Sequence, residues 1–188
     1  GDVRAALDVA DLAVFVVSAV DGVEVQTEAI WRLAARLGIP RLTADDDRQL
    51  AGLVAETLEV FSHDPAAARV RLEREMAPTP AWCDPDQMRQ VLWNLLVNAA
   101  QASGREGAGR VTVRCGPEGG GARLEVEDDG PGIAPGELAR VFTPFFTTKE
   151  RGTGLGLATV QRIVDAHQGT VTAEAGAGGG ARFVVRLP

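Results

Sequence analysis

Residues 84–103 read DPDQMRQVLWNLLVNAAQAS, and this stretch carries a complete helix signal. Asp84 is a favourable N-cap, Pro85 suits the first helical position, and Gln87 stands where a capping-box partner belongs. From there to Ser103 apolar residues recur every three or four positions, which predicts one buried helix face. We therefore expect a helix that begins after Asp84 and ends near Ser103.

Two asparagines interrupt the good helix formers of this segment. Asn94 and Asn98 are four residues apart, so they lie on one face, one turn from each other. Asn is a mediocre helix former because its side chain competes for backbone hydrogen bonds. An amide oxygen is a neutral, hard ligand suited to Mg²⁺, which makes the pair a candidate metal and phosphate site. The alternative interpretation is a solvated helix face.

The N-terminal part of the chain predicts a βα unit of an α/β protein. The apolar run 12–17 suits a buried strand, and Thr27 could cap a helix over 28–37. The polar, acidic residues 41–49 mark a candidate boundary. Further along we predict helices over 47–61 and 155–167, strands over 70–75, 110–115 and 122–128, a glycine-rich turn at 116–121, and a hairpin of 170–174 with 182–187.

A predicted strand runs into Asp128, and Gly130 and Gly132 follow it closely. Glycines allow the backbone to approach a ligand, and a carboxylate at a strand end can accept a hydrogen bond from an exocyclic amine such as that of adenine. Such a charged hydrogen bond contributes roughly 1.5–3 kcal/mol. The alternative is a plain Asp-Gly-Pro-Gly turn.

Residues 152–157 read GTGLGL and open a predicted helix, which favours an anion site of exposed backbone amides. A dinucleotide-binding fingerprint would follow an apolar strand, whereas residues 146–151 read FTTKER, and no Walker-type Gly-Lys-Ser/Thr occurs. Lys149 and Arg151 could meet phosphates or be solvated loop charges. The preceding aromatic stretch, 141–146, predicts a mobile lid or a loop anchored in the core.

Taken in this order, the four segments resemble the boxes of sensor histidine kinases. Residues 94–99 look like the N box, 128–132 like the G1 box, 142–146 like the F box and 152–156 like the G2 box. The resemblance extends over roughly residues 48–188, and within the family the chain is similar to nitrogen-regulator-type kinases. It implies the Bergerat fold, an α/β (α+β two-layer) sandwich in which helices cover one face of a mixed sheet and a lid closes over ATP.

The resemblance also implies roles for individual residues. Asn98 would coordinate Mg²⁺, Asn94 and Lys149 would serve the phosphate side as catalytic residues, and Asp128 would recognise the adenine amino group. The implied cofactors are ATP and Mg²⁺. The remaining nucleotide-binding positions it implies are Gly130, Gly132, Ile133, Phe142, Thr148, Gly152, Thr153, Gly154, Leu155 and Gly156.

One position separates the relatives by chemistry. ATP-hydrolysing members of the superfamily carry a Glu one turn before the metal-binding Asn, whereas this chain has Asn94, which cannot act as a base. We therefore expect a protein-histidine kinase catalytic domain that passes the γ-phosphate to a protein side chain. The alternatives are a Ser/Thr kinase of the same fold and a non-catalytic nucleotide-binding or engineered fusion or interaction module.

The resemblance implies two partners, a histidine-bearing dimerisation hairpin and a response regulator. His63 is the only upstream histidine, and Pro65 is badly placed for a helix interior. We therefore expect the substrate histidine on a hairpin absent from this chain, without autophosphorylation in cis. His167, near a predicted helix C-terminus, is expected to be a favourable charge or cap.

Residues 1–42 resemble a different family, the GTPase domain of elongation factor G. The match runs through 9–28 and continues in Ile30-Trp31-Arg32 and Gly38-Ile39-Pro40-Arg41, without a P-loop or guanine motif. We therefore predict three parts, a βα fragment over 1–42 that does not bind GTP, a junction over 43–49 and a kinase-like domain over 50–188. The two resemblances suggest a chimera, and a natural linker that forms a βα unit is the alternative.

Composition excludes several classes of function. The net charge of −7 argues against a sequence-independent nucleic-acid surface, and Cys83 and Cys115 lack metal-type spacing. The longest apolar run, 12–20, is far shorter than a membrane span, and no secretory signal is recognised. We expect a cytoplasmic chain without membrane contact, as a monomer or weak homo-oligomer.

Overall fold

The computed structural model describes residues 13–15, 41–43, 50–79, 81, 83–103, 109–149, 152–176 and 178–188. Its helices are α1 (Leu50–Ser62), α2 (Pro85–Ser103) and α3 (Gly156–Ala166), with a short 3₁₀ turn at Ala67–Arg69. Its strands are β1 (Ala13–Phe15), β2 (Arg41–Thr43), β3 (Val70–Met76), β4 (Gly109–Glu118), β5 (Gly121–Asp128), β6 (Thr170–Ala175) and β7 (Ala181–Leu187).

Five strands form one mixed sheet in the order β3-β4-β5-β7-β6. Strands β3 and β4 are parallel, and the other neighbouring pairs are antiparallel. The parallel pair needs a crossover, which α2 supplies, whereas β4–β5 and β6–β7 close as hairpins. The predicted α/β class with a mixed sheet is confirmed. Strands β5 and β7 are neighbours in the sheet although 52 residues lie between Asp128, the end of β5, and Ala181, the start of β7.

The core lies between the helices and one face of the sheet. Alternate side chains of β4, β5 and β7 point into it, and α2 runs across it with its apolar face fully buried. The opposite face carries a ladder of ion pairs in which Arg114 and Arg123 both bond Glu125, at 2.6 Å each. Glu125 is buried with these two partners, as a charge inside a protein must be. The helical layer therefore covers the face that carries the core.

The helix starts and stops follow local sequence. Asp84 Oδ1 accepts hydrogen bonds from the amides of Asp86 and Gln87, at 3.0 and 3.1 Å, so the predicted N-cap of α2 is confirmed. The helix predicted over 47–61 is observed from Leu50 to Ser62, and residues 44–49 lie outside the described residues. None of the helices in the described ranges has the length and apolar character of a membrane span.

The turn between β4 and β5 is shorter than the predicted 116–121. Both strands continue to Glu118 and Gly121, which pair with each other, so only Gly119 and Gly120 form the turn. Their φ values are +62° and +91°. Two-residue hairpin turns with positive φ at both positions match the twist of the strands, which is why the ladder extends to the turn.

At the N-terminus, β1 and β2 form a separate two-stranded parallel sheet. The strand β1 lies within the predicted strand 12–17, whereas β2 occupies the start of the polar stretch that was expected to be a boundary. The predicted helix over 28–37 lies outside the described residues. The division into three parts therefore stays a prediction.

Candidate nucleotide-binding site

The four glycine-rich and polar segments meet at one cleft of about 760 Å³ between α2, the start of α3 and the loop that joins β5 to α3. Most of the predicted site residues line it, namely Asn94, Asn98, Asp128, Gly132, Ile133, Thr148, Lys149, Gly152, Thr153, Gly154 and Gly156. Gly130, Phe142 and Leu155 are not among the lining residues. The cleft is large enough for a nucleotide.

Asp128 is the buried acid of the cleft, with 4% of its surface exposed. Its Oδ1 accepts hydrogen bonds from the amides of Gly130 and Ala181, at 2.9 and 3.2 Å. Burial raises the pKa of the Asp128 carboxyl, and these two backbone bonds offset part of that effect. Gly130 therefore acts behind the cleft wall, where it holds the carboxylate that faces the cavity.

The β6–β7 turn packs against the loop after Asp128. A Cβ on Gly132, whose φ is +74°, would lie 2.5 Å from the carbonyl oxygen of Gly179. A Cβ on Gly180 would lie closer than contact distance to the carbonyl oxygen of Asp128. Side chains at these two positions would force the turn and the loop apart, so the missing Cβ atoms allow the wall of the cleft to close.

Asn94 and the start of α3 face each other across the cleft. The Asn94 side-chain amide donates to the Gln90 carbonyl at 3.0 Å, which directs Oδ1 away from α2. A Cβ on Gly156 would lie 3.4 Å from that Oδ1. The glycine therefore lets the N-terminus of α3, with its partial positive charge, approach the polar stripe of α2.

Asn98 holds a cation-binding position. The Lys149 ammonium donates to Asn98 Oδ1 at 2.6 Å and to Gln101 Oε1 at 3.0 Å, so two neutral amide oxygens already surround a positive charge. This donor set fits Mg²⁺ that takes its other ligands from phosphate and water. The described residues hold no cluster of three or more His, Cys, Asp or Glu that would favour a metal site made of protein ligands alone.

The aromatic stretch divides between core and surface. The ring of Phe142 packs edge to face on Phe183 at 6.3 Å, and Phe146 lines the cleft beneath the guanidinium of Arg140, 4.9 Å from the ring centroid. Phe145 is 75% exposed and has a φ of +66°. The core-anchored interpretation therefore applies to Phe142, and the mobile lid stays a prediction.

Sequence reasoning missed several residues of the site. Ala181 and Phe183 belong to β7 yet line the cleft beside Asp128, and Glu137 and Val141 line it from the loop after β5. The alternation of β7 showed that Phe183 is buried, but it gave no sign of what the residue faces. That depends on the pairing of β5 with β7.

The family model described as "Histidine kinase-, DNA gyrase B-, and HSP90-like ATPase" matches residues 83–188. A second model, "Elongation factor Tu GTP binding domain", matches residues 1–45 weakly. The second match covers less than a quarter of the chain and assigns no family to it.

Two curated relatives are similar over most of the chain. The sensor histidine kinase ZraS of Klebsiella oxytoca is 44% identical over 141 residues, which cover 72% of this chain and 30% of the relative. The signal transduction histidine-protein kinase AtoS of Escherichia coli K12 is 39% identical over 153 residues, which cover 79% of this chain and 25% of the relative. The chain thus spans a third or less of the length of these relatives.

Solved structures show the same likeness. The nucleotide-free catalytic domain of the histidine kinase ThkA is 29% identical with a TM-score of 0.67, over 74% of this chain and 92% of that one. Full-length ShkA in complex with AMPPNP is 27% identical with a TM-score of 0.66, over 88% of this chain and 39% of that one. The chain belongs to the histidine kinase-, DNA gyrase B- and HSP90-like ATPase family, and within it to the catalytic domains of sensor histidine kinases.

Proposed function

We propose that this domain binds Mg·ATP in the cleft and transfers the γ-phosphate to a histidine on a dimerisation hairpin, from which a response regulator receives it. The observation that carries the proposal is that the buried Asp128 lines the same cleft as Asn98, whose side-chain oxygen binds the Lys149 ammonium. The carboxylate suits the adenine amine, and the cation position suits the phosphates. The AMPPNP complex of ShkA supports a nucleotide in this fold.

The chemistry follows from the groups that line the cleft. Asn98 would hold Mg²⁺, which when bound neutralises phosphate charge, and the amides at the start of α3 would bind phosphate oxygens. Lys149 would exchange its bond to Asn98 for a phosphate oxygen. The attacking histidine nitrogen forms a bond to the γ-phosphorus while the bond to the bridging oxygen breaks, and ADP leaves. Asn94 cannot deprotonate water, which favours transfer over hydrolysis.

Two exposed apolar side chains beside the cleft, Phe145 and Leu155, offer a surface for the proposed hairpin. Phe145 and Leu155 are 75% and 43% exposed, and the Phe145 amide donates to the Gly154 carbonyl at 2.9 Å, which brings the two segments together. Exposed apolar side chains at the mouth of a cleft are typical of interaction sites. A hairpin that contacts both would place its histidine near the γ-phosphate.

The direct test is phosphate transfer in trans. We expect the purified chain, mixed with radiolabelled ATP, Mg²⁺ and the isolated ZraS-type dimerisation hairpin, to label the hairpin with acid-labile, alkali-stable phosphate. The same hairpin with its histidine changed to glutamine should stay unlabelled. Acid-stable label would support the Ser/Thr kinase alternative, and tight ATP binding without transfer would support the interaction module.

Lys149→Met tests whether the lysine and the metal share Asn98. In EDTA the lysine is the cation facing the phosphates, so its loss should weaken ATP binding by roughly tenfold, the effect of one charged hydrogen bond. With saturating Mg²⁺ the loss should be smaller, because the metal takes the Asn98 oxygen. Calorimetric titration under both conditions measures the difference.

The matched control is Arg162→Met, which removes an exposed cation of α3 that does not line the cleft. It should leave ATP affinity unchanged in both conditions. Equal losses for Lys149→Met with and without Mg²⁺ would contradict a shared position.

A further inference from the structure

His167 follows the last residue of α3 and is buried, with 6% of its surface exposed. Its Nδ1 lies 2.7 Å from the Ile163 carbonyl oxygen, and the backbone amide of Asp84 donates to its Nε2 at 2.9 Å. A carbonyl can only accept and an amide N–H can only donate, so Nδ1 carries the hydrogen and Nε2 is bare. Of the two expected roles, the cap is observed, because Nδ1–H donates to the Ile163 carbonyl in the last turn of α3. The favourable charge is not, because a ring with a bare Nε2 is neutral, and this ring links two distant segments.

The partner of His167 is the residue from which α2 starts. Asp84 caps that helix through its side chain, as described above, and its own backbone amide lies before the helix, where no intrahelical carbonyl is available. The imidazole supplies the missing acceptor. The bond therefore fixes the start of α2 to the end of α3.

A second contact between α2 and α3 lies in the cleft, where Gly156 approaches Asn94. Asn94 lies ten residues after Asp84, and Gly156 lies eleven residues before His167. The close approach of Gly156 to Asn94 and the His167–Asp84 bond are thus at opposite ends of an antiparallel pair. Between them, α3 buries Val160, Ile163 and Val164.

Side-chain packing and the His167–Asp84 bond together limit how far α3 can slide along α2. The buried apolar residues between the two contacts pack the helices against each other, which restricts their register. The hydrogen bond from the Asp84 amide to His167 adds a contact of defined length and angle. Because a helix transmits displacement along its axis, the bond at His167 also sets where the first turn of α3 lies relative to the amide of Asn94.

We propose that His167 is a positioning residue of the nucleotide site, which holds the phosphate-facing start of α3 at its working distance from α2. This inference rests on the proposed nucleotide-binding function. It assigns a role in ligand binding to a side chain that does not line the cleft. A misplacement of about 1 Å can cost a catalytic site up to 100-fold in rate, and we expect a smaller, roughly tenfold loss of nucleotide affinity when the bond is removed.

The test compares His167→Gln with His167→Met. Gln can place an amide oxygen near the position of Nε2 and accept from Asp84, whereas Met has a similar length and only a weak acceptor. We expect His167→Met to bind an ATP analogue with Mg²⁺ roughly tenfold more weakly than wild type, and His167→Gln to bind within about twofold. Calorimetric titration gives the affinities, and Leu72→Ala, on the edge strand β3, serves as a control for general loss of stability.

A second readout examines the bond directly in the wild type. Long-range proton–nitrogen NMR of His167 should show hydrogen on Nδ1 and a bare Nε2. A proton on Nε2, or equal affinity of His167→Met and wild type, would overturn the inference. Failure of the wild type to bind the analogue would instead refute the proposed function, so the two failures are distinguishable.

Discussion

Asp128→Asn is expected to weaken ATP binding by roughly 100-fold, or about 2.7 kcal/mol. The buried carboxylate already accepts from Gly130 and Ala181 through Oδ1, so its second oxygen is the one proposed to accept from the adenine amine. In the variant an amide N–H replaces that oxygen and opposes a second donor. Calorimetric titration of an ATP analogue with Mg²⁺ measures the loss.

Asp129→Asn is the matched control for this change. Asp129 is the exposed neighbour, and its Oδ1 accepts from the Arg110 amide at 2.9 Å, a bond that an Asn oxygen can keep. It does not line the cleft, so its variant should bind like wild type. Equal affinity of Asp128→Asn and wild type would refute the adenine assignment.

Asp128→Asn, which should weaken nucleotide binding, should not lower the stability of the nucleotide-free protein. Burial raises the pKa of Asp128, so the folded state binds its proton more tightly than the unfolded chain does. The contribution of this group to stability is then greatest at low pH and falls as the pH rises through the raised pKa. An Asn side chain is neutral, so it avoids the free-energy cost of burying an ionised carboxylate. The melting temperature of Asp128→Asn at pH 7 should therefore equal or exceed that of wild type.

Gly154→Ala is expected to reduce ATP affinity on the order of 100-fold. Gly154 has a φ of +66°, a conformation that costs L-residues roughly 1–2 kcal/mol, and its added Cβ would lie 2.7 Å from the Phe145 Cα. The three nearest atoms, the Cα, carbonyl carbon and oxygen of Phe145, are all backbone, so relief requires the aromatic stretch and the glycine-rich segment to separate. That separation would open the phosphate end of the cleft, which calorimetric titration would detect.

Gly136→Ala provides the control, because an added Cβ there meets nothing within 4 Å and its φ is not positive. It should bind ATP like wild type. Hydrogen exchange of residues 141–149 should rise in Gly154→Ala and stay unchanged in Gly136→Ala. A Gly154→Ala protein with wild-type affinity would show that this close approach does not shape the site.

Local sequence was sufficient for most elements of the kinase-like part. The start of α2 at Asp84 and its buried face follow from a cap and a 3.6-residue period, both of which act within a few turns of chain. The hairpin of β6 with β7 follows from alternation and intervening glycines. The sequence-based prediction of the β4–β5 turn over 116–121 was too long, since the observed turn is only Gly119 and Gly120. The error arose because glycines within a strand resemble turn residues until the strand pairing is known.

The sequence by itself determined which chemistry this chain carries, whereas the tertiary structure decided which residues carry it together. Asp128 and Asn98 could be singled out because acids after strands and amides within helices are unusual in their own surroundings. Ala181 beside Asp128, Lys149 on Asn98 and His167 on Asp84 join residues 51 to 83 positions apart. Periodicity records only which side of an element is buried, and these contacts depend on strand order and helix register, which the packing of the whole core selects.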